Sequence, residues 1–323
     1  MSGVDDAVRV LRSGGLVAFP TETVYGLGAD AANAEALARL YAVKRRPVDH
    51  PVIVHIGADI ELDQYGTEIP DAARALAAEF WPGPLTLVVR KRPDRIADAA
   101  TGGRDTVGLR VPSHPLALAL LAEFGGGLAA PSANRFGRVS PTTAAHVHAD
   151  LGADVDLILD GGPCTVGVES TIVDVTGSEP AILRVGGITE RDVTRVTGRS
   201  ARMRDDGTVA APGTLPAHYA PDALVEVVTP DAVVTRARQL LQRGTRVGLL
   251  ALESPKEVPA GLVVLDAPAD VGDYGRVLYA RLRQADQAGL GVVLVVPPPP
   301  HGVGLAVIDR LRRASVRRDI DTP

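Results

Sequence analysis

The chain has 323 residues, of which 46% are hydrophobic and 23% are charged, an ordinary composition for a globular protein of about two domains. The 34 Lys and Arg and 39 Asp and Glu give a net charge of −5, which excludes a general basic field for neutralising nucleic-acid phosphates. The single cysteine, Cys164, excludes an internal disulfide or a thiolate zinc site and is expected to be a small buried residue. Neither a signal-peptide core nor an apolar run of the ~20 residues that a membrane span needs is present, so a cytoplasmic protein is expected.

Helical and strand-like patterns alternate along the first 198 residues. Apolar residues at helical spacing open the chain and stop at Gly14, before a strand-like apolar run at 16–19. Further helices are predicted from Asn33 to about Lys44, over 71–80, from Pro115 and from Thr142, and further strands over 52–56, 85–89, 106–111 and 157–160. Strands and helices mixed in this way predict an α/β or α+β sheet domain.

The periodicity fails between residues 198 and 222, where charges are mixed with Gly and Pro as in a linker. Beyond it, strands are predicted over 224–228, 247–250, 262–265 and 292–296, and helices from Asp231, over 271–287 and from Val303. We therefore predict a first domain over 1–198, a linker over 199–222 and a smaller α/β domain over 223–323.

Several familiar motifs are absent or unconvincing. The sequence has no G-x-x-x-x-G-K-[ST] loop, no G-x-S-x-G elbow and too few cysteines for a metal framework. The segment GLGADA at 26–31 matches a dinucleotide fingerprint formally, but no strand runs directly into it, and we interpret the match as chance. His146 and His148, two residues apart, would point away from each other, so no metal pair is expected.

A phosphate-binding pattern is more informative. Lys44, Arg45 and Arg46 stand at the end of a predicted helix, before Pro47 requires an extended chain. Cations at a helix C-terminus are common for electrostatic reasons alone. However, PTETVYG at 20–26 and PSAN at 131–134 place hydroxyl and amide groups after apolar runs, where open α/β sheets bind ligands. Cations with such groups suit a phosphate-bearing ligand, although composition alone leaves the two interpretations evenly balanced.

Four segments in order, KRRPVDHPVIVHI, TVGLRVPSHP, APSANRFGRVSPT and GVESTIVDV, resemble the Sua5/YrdC/TsaC family of L-threonylcarbamoyladenylate synthases. The segments APGTLPAHYAP and GLAVIDRLRRA resemble the two-domain Sua5 type, so the resemblance covers almost the whole chain. It implies an α/β fold: a YrdC-like twisted mixed open sheet with helices, and a smaller C-terminal Rossmann-like Sua5 domain.

The resemblance implies that L-threonine, bicarbonate and ATP are condensed to threonylcarbamoyl-AMP with release of pyrophosphate. This is the first step toward N6-threonylcarbamoyladenosine at position 37 of certain tRNAs, and the product would pass to a tRNA threonylcarbamoyl transferase. The resemblance implies that ATP is a substrate and is accompanied by Mg²⁺, and no metal ligands are assigned to protein side chains. Because charge accumulates on the α-phosphate, positioning and electrostatic stabilisation are expected to dominate catalysis.

The resemblance also implies two sets of site residues. Lys44 and Arg46 would clamp the triphosphate and act in catalysis, and Arg110 would pair with the threonine carboxylate. The residues implied for ATP are Lys44, Arg46, His50, Thr106, Ser132, Asn134, Ser140, Arg184 and Tyr219. Those implied for L-threonine are Thr23, His55, Arg110, Ala130 through its backbone, and Ser170.

Each assignment has a structural alternative. His55 lies in an apolar strand and would ordinarily be a satisfied core histidine. Arg110 and Arg184 flank apolar strands and could be surface charges. Ser170 and Thr23 could be turn residues whose hydroxyls bond their own backbone.

The sequence departs from the family pattern in three places. His50 stands where Asn is usual, Val185 follows Arg184 where Pro is usual, and the stretch 214–217 is less basic than expected. The linker is nevertheless expected to act as a lid, with Tyr219 on the nucleotide side, because a carbamate and a mixed anhydride are water-labile. The alternative is a tether that only holds the second domain.

Three alternatives remain open, one of which is that the second domain binds a small ligand of its own that its sequence does not identify. An RNA-binding module without synthase activity is the first, but a net charge of −5 and 3% aromatic residues disfavour a broad RNA surface, so stable nucleic-acid binding is not expected. The second is the related carbamoyl-transfer domain of hydrogenase maturation, which works with paired-cysteine zinc modules that a one-cysteine chain lacks.

Overall fold

A computed structural model describes residues 2–204, 212–213 and 218–316. The chain divides into two compact units: unit 1 is Met1–Phe136 with Ser140–Thr214, and unit 2 is Gly137–Val139 with Leu215–Pro323. Residues 205–211 and 214–217 of the predicted linker lie outside the described residues. The boundaries 1–198, 199–222 and 223–323 therefore stay predictions.

Unit 1 contains one large mixed sheet flanked by helices. Its helices are α1 (Ser2–Arg12), α2 (Ala34–Lys44), α3 (Asp71–Phe80), α4 (Asp98–Thr101), α5 (Pro115–Phe124), α6 (Ala144–Leu151) and α7 (Glu190–Thr197). Its strands are β1 (Val17–Phe19), β2 (Gly26–Asp30), β3 (Val54–His55), β4 (Gly66–Thr67), β5 (Leu85–Lys91), β6 (Thr106–Arg110), β7 (Leu128–Ala129), β8 (Leu157–Ile158), β9 (Thr171–Asp174), β10 (Ala181–Arg184) and β11 (Arg202–Met203).

The sheet is ordered β11-β10-β9-β5-β6-β3-β7-β2-β1-β8, and β4 pairs with β5. The sheet contains parallel pairs, such as β3 with β6 and β5 with β9, and antiparallel pairs, such as β5 with β6 and β1 with β2. The mixed open sheet with helices confirms the predicted fold class for this part of the chain.

The helix before the basic segment is defined by its caps. Asn33 accepts hydrogen bonds from the N–H groups of Glu35 and Ala36, which satisfies donors that the first turn leaves free. Arg45 ends the helix in the left-handed conformation at φ 52°, and Pro47 follows two residues later. The predicted start at Asn33 and end near Lys44 are confirmed.

The strands are shorter than their apolar runs. Within the predicted strand 52–56, the observed strand covers only Val54–His55. The Val52 N–H bonds to the Ala100 carbonyl, which lies in helix α4 and not in a neighbouring strand. The sheet also contains the strands β2 and β7, which the hydrophobic periodicity did not predict.

The glycines of the GLGADA segment lie in strand β2 rather than in a phosphate loop. β2 pairs with β1, and a Cβ built on Gly28 would stand 2.9 Å from the ring of Phe19. Glycine is therefore needed here for close packing against an aromatic ring. The interpretation of the fingerprint as a chance match agrees with this geometry.

The core of unit 1 lies between the sheet and its helices. One cluster joins α2 and α3 to the sheet through residues such as Leu37, Leu76 and Leu87, and it includes Cys164, whose predicted burial is confirmed. A second cluster joins α1 and α5 through Leu11 and Leu120.

Unit 2 is a smaller α/β layer. Its strands are β12 (Leu224–Val227), β13 (Val247–Leu250), β14 (Val263–Val264) and β15 (Val292–Val295), and its helices are α8 (Val233–Gln242), α9 (Val271–Gln287) and α10 (Val303–Ser315). All strand pairs are parallel, in the order β12-β15-β13-β14, which confirms the predicted α/β class. Among the described residues of the chain, no helix is long and apolar enough to cross a membrane.

Candidate active site

Arg110 is the centre of a buried polar cluster where β6 ends. It lies opposite His55 in the parallel pair of β3 and β6 and is only 3% exposed. Its guanidinium donates from Nε to the Gly83 carbonyl at 3.2 Å, from Nη1 to Thr23 Oγ1 at 2.9 Å and from Nη2 to Glu22 Oε1 at 2.6 Å. The alternative that Arg110 is a surface charge is therefore wrong.

In the turn after β1, Thr21 stabilises the backbone and the hydroxyl of Thr23 faces Arg110. Thr21 Oγ1 accepts the N–H of Thr23 at 3.2 Å, so Thr21 makes the local turn bonds. The Thr23 hydroxyl instead contacts Thr21 Oγ1 at 2.8 Å and receives the Arg110 donor. Glu22 completes the cluster by accepting the Ser113 N–H at 3.1 Å through Oε2. The side chain between the two threonines is thus the buried counter-charge of Arg110.

His55 is buried beside this cluster. Its ring stands edge-on to Phe19 at a centroid distance of 6.0 Å, and Nδ1 has no partner among the residues that the structure describes. Burial, with a smaller contribution from the charge of Arg110, holds the pKa of His55 well below its usual value. An unpaired ring nitrogen is not what a satisfied core histidine would show. The backbone of Ala130 runs nearby in the fold, with its N–H donating to the Ile53 carbonyl at 2.9 Å.

Lys44 connects the end of α2 to the PSAN loop. Its Nζ donates to the carbonyls of Ser132 and Asn134 at 2.5 Å each, and the side chain is 1% exposed. Burial, followed by repulsion from Arg46, holds the pKa of this lysine well below its ordinary value. The Phe136 N–H returns to the Lys44 carbonyl at 2.8 Å, which closes the loop against the helix.

Arg46 shapes the following turn. It donates from Nε to the His50 carbonyl at 3.2 Å and from Nη2 to the Pro51 carbonyl at 2.8 Å. Its guanidinium lies 5.3 Å from the ring centroid of Phe136, which the His50 ring meets edge-on at 5.5 Å. Burial and the charge of Arg46 lower the pKa of His50, so this ring favours its neutral form.

Arg184 and Ser170 form a second buried group. Arg184 donates from Nε to the Ser170 carbonyl and from Nη2 to Ser170 Oγ, both at 3.0 Å. Ser170 Oγ is also 2.8 Å from Thr86 Oγ1 on the neighbouring strand. Arg184 Nη1 donates to the Pro212 carbonyl at 2.9 Å, which ties part of the predicted linker to unit 1. Neither the surface-charge alternative for Arg184 nor the simple turn role for Ser170 fits these contacts.

A small cleft lies beside this group. Its lining is mostly apolar, with Thr106, Thr86 and Arg104 as polar members. The residues that line it are Pro51, Val52, Ile53, Thr86, Val88, Arg104, Thr106, Gly108, Ile172 and Pro212. Ser140, the remaining predicted nucleotide residue of unit 1, is buried and donates to Glu169 Oε1 at 2.7 Å.

Tyr219 is the one predicted site residue that lies in unit 2. It is 1% exposed, stacks on Tyr279 at 5.7 Å and has the Arg310 guanidinium 5.2 Å from its ring centroid. The structure thus places Tyr219 in the interior of unit 2, and its role toward ATP stays a prediction.

Sequence reasoning missed four residues that build the site: Glu22, Thr86, Phe136 and Glu169. Glu169 stands inside GVESTIVDV, a segment that carried the resemblance, and Glu22 stands inside PTETVYG, which belonged to the phosphate-binding pattern. A carboxylate beside an apolar strand was the available signal, because such a group needs a cation or hydroxyl partner when it is buried.

These contacts define an α/β protein. Cations and hydroxyls suited to an anionic ligand lie near the ends of its strands, beside a buried guanidinium–carboxylate pair. Within the described ranges, no group of three or more His, Cys, Asp or Glu could hold a metal ion. The contacts described above define a site that is rich in hydrogen-bond donors.

Two family models match the chain: one described as telomere recombination, of the Sua5/YciO/YrdC family, over residues 9–186, and one described as threonylcarbamoyl-AMP synthase, C-terminal domain, over 188–316. The chain belongs to the Sua5/YciO/YrdC family, in its two-domain Sua5 form. The resemblance described from the sequence is confirmed.

Relatives of similar length support this placement. The chain is 38% identical over 330 residues to a threonylcarbamoyl-AMP synthase of Bacillus subtilis, covering 98% of this chain and 94% of the relative. It is 40% identical over 329 residues to that of Pyrococcus abyssi, covering 97% and 94%. The crystal structure of P. abyssi Sua5 complexed with L-threonine matches with a TM-score of 0.89 at 38% identity, over 97% of this chain and 94% of that one.

Proposed function

We propose that this chain is an L-threonylcarbamoyladenylate synthase, which joins L-threonine, bicarbonate and ATP and releases pyrophosphate. The observation that carries the proposal is the match along 97% of the chain to a Sua5 protein complexed with L-threonine, at a TM-score of 0.89. The relatives named threonylcarbamoyl-AMP synthase support the same reaction.

We propose that L-threonine binds at the Arg110 cluster. Arg110 pairs with the carboxylate, Thr23 and Ser170 offer hydroxyls, and the backbone at Ala130 lines the pocket. The open Nδ1 of neutral His55 supports a hydrogen bond to the ligand, since a buried unpaired nitrogen is costly without one.

ATP binds, in this proposal, along the PSAN loop and the cleft at Thr106. The apolar walls of the cleft suit a nucleobase. Thr106 lines the cleft, and Arg184 donates to the carbonyl of Pro212, another lining residue. Lys44 and Arg46 place cations for the triphosphate. Ser132, Asn134, Ser140 and His50 complete the nucleotide contacts. Mg²⁺ enters as part of the Mg·ATP substrate, held mainly by phosphate oxygens and water.

The chemistry needs no protein nucleophile. The ammonium group of bound threonine first releases a proton to solvent. The neutral amine then adds to the carbon of bicarbonate and water leaves, which gives a carbamate. A carbamate oxygen then attacks the α-phosphorus of ATP, and the bond to the bridging oxygen breaks as pyrophosphate leaves. The residues described above orient the reactants and offset the charge that develops on the phosphate.

A pyrophosphate-release assay tests the proposal. Release should require both L-threonine and bicarbonate. Serine should be a poor substrate, because loss of one methyl group costs only ~1–3 kcal/mol, whereas valine should be inert because it leaves hydroxyl-binding groups unpaired. Equal release with valine, or release without bicarbonate, would refute the assignment.

We propose that a linker over 199–222 joins a catalytic domain at 1–198 to a C-terminal domain at 223–323. In this proposal the linker closes on the site as a lid. The Arg184 bond to the Pro212 carbonyl supports a linker segment lying against the proposed nucleotide site of unit 1. Gly207 and Pro216, proposed as hinge and stiffening residues, lie outside the described residues. A chain that ends at Gly198 and keeps full activity, with an unchanged lifetime of the adenylate, would reduce the linker to a tether.

The product is a labile mixed anhydride and must be consumed by an acyl acceptor. In this proposal a tRNA threonylcarbamoyl transferase takes it in the cytoplasm, without stable binding of nucleic acid by this chain. RNA binding without ATP that weakens with salt would contradict that part of the proposal.

A further inference from the structure

The buried ion pair between Arg110 and Glu22 is the starting observation. The two side chains are 4% and 7% exposed, and Arg110 Nη2 lies 2.6 Å from Glu22 Oε1. The resemblance implied a ligand contact for Arg110 but gave Glu22 no role. A carboxylate that already neutralises this guanidinium changes what the pocket can accept.

The charge of the cluster can be counted group by group. Arg110 carries one positive charge and Glu22 one negative charge. The two other titratable groups of the cluster are neutral: burial depresses the pKa of His55, and burial, reinforced by the charge of Glu22, raises the pKa of Cys164 to about 12. The charges of Arg110, Glu22, His55 and Cys164 therefore sum to zero before any ligand binds.

A neutral buried pocket discriminates between ligands by their net charge. A carboxylate without a counter-charge would bring an uncompensated negative charge into a site where Arg110 is already paired, which carries a large desolvation cost. An α-amino acid brings its own ammonium group, and its two charges match the Arg110–Glu22 pair with opposite polarity. We propose that Glu22 is a specificity-determining and positioning residue, which makes this pocket accept an α-amino acid as a zwitterion and reject a carboxylate of the same shape that lacks the ammonium.

Arg110 and Glu22 retain enough hydrogen-bond capacity to bind a zwitterion while they stay paired with each other. A guanidinium has five N–H donors, and Gly83, Thr23 and Glu22 use three of those of Arg110. The two oxygens of Glu22 each accept one described bond, from Arg110 and from the Ser113 N–H, and retain lone pairs. The pair can therefore hold its geometry while a ligand carboxylate and ammonium are added.

This inference rests on the proposed function and is tested by comparing two ligands on the full chain. The probes are L-threonine and (2S,3R)-2,3-dihydroxybutanoate, in which a hydroxyl replaces the ammonium. Calorimetry should show that the unmodified protein binds threonine at least about 100-fold more tightly. Glu22→Gln keeps the size and an acceptor oxygen but removes the charge, and should narrow this preference at least about tenfold, with ATP binding unchanged.

The change in the ratio separates charge selection from a structural role. A purely structural effect would weaken both ligands equally and leave their ratio constant, and that result would overturn the inference. Asp174→Asn is the matched control, because Asp174 is another buried carboxylate of unit 1, paired with Arg204, and its neutralisation should not alter the ratio.

Two outcomes do not depend on the folding of a variant. Equal binding of the two probes by the unmodified protein would overturn the inference on its own. Absence of pyrophosphate release with L-threonine would overturn the proposed function together with this inference. Threonine-dependent release with an unchanged ratio in Glu22→Gln would overturn only the role of Glu22.

Discussion

Replacing Lys44 by methionine tests how the PSAN loop is held. The substitution keeps the apolar stem but removes the two bonds from Nζ to the carbonyls of Ser132 and Asn134, each 2.5 Å long. Hydrogen bonds to a charged group contribute about 1.5–3 kcal/mol each, so the gross loss is about 3–6 kcal/mol. Part is recovered, because the depressed pKa of Lys44 reports a desolvation cost that methionine avoids. We expect the free energy of unfolding to fall by about 2–4 kcal/mol.

Urea unfolding measures this loss, and calorimetry measures the accompanying fall in ATP affinity. Lys91→Met is the control: Lys91 bonds to Asp98, which is 84% exposed, so this change should cost less than about 1 kcal/mol. If Lys44→Met unfolds at the same urea concentration as the unmodified chain, the loop does not depend on this lysine. If stability falls but ATP affinity does not, the triphosphate role of Lys44 is refuted.

Three further changes probe other parts of the site. Arg110→Ala should weaken L-threonine binding by about 2–5 kcal/mol and barely affect ATP, and the reverse pattern in calorimetry would mean that the two pockets are exchanged. The pKa of His55 is depressed in the folded protein, so at pH values below the ordinary histidine pKa the unfolded chain binds more protons than the folded one. The free energy of unfolding therefore falls on acidification by up to about 1.4 kcal/mol per pH unit. His55→Gln should remove this part of the slope in urea titrations between about pH 7 and about pH 5, and an unchanged slope would contradict it. Gly186→Ala would place a Cβ 2.2 Å from the Thr171 backbone nitrogen and should cost about 1–3 kcal/mol or more, whereas Gly187→Ala meets nothing within 4 Å; equal thermal midpoints would show that this packing is not tight.

Features with local causes were predictable from the sequence. The helices over 71–80 and 271–287 have the predicted bounds, and α2 begins after Asn33, because caps and helical periodicity involve residues only a few positions apart. Strand order was not predictable. β5 pairs with β9 in a register that joins Leu85 to Thr171, and no local signal links segments so far apart.

The candidate site divides in the same way. Motif residues such as Thr23 and Arg110 could be named from the sequence, and the structure joins them by a hydrogen bond. Glu22 could not be assigned, because its role depends on the burial of Arg110 and on the approach of the Ser113 N–H. The local contacts of Lys44 were also unforeseen, since the resemblance described only its expected ligand.

The carboxylate partner of Arg110 sets the response of the amino-acid side of the site to dissolved salt. Because Arg110 is matched by the full charge of Glu22, the fields of the two groups largely cancel outside the pair. Mobile ions screen the field of a separated charge over about 8–10 Å, and a zwitterion that approaches this pair meets little net field for them to screen. Ionic strength should therefore leave the association rate of the amino acid nearly constant.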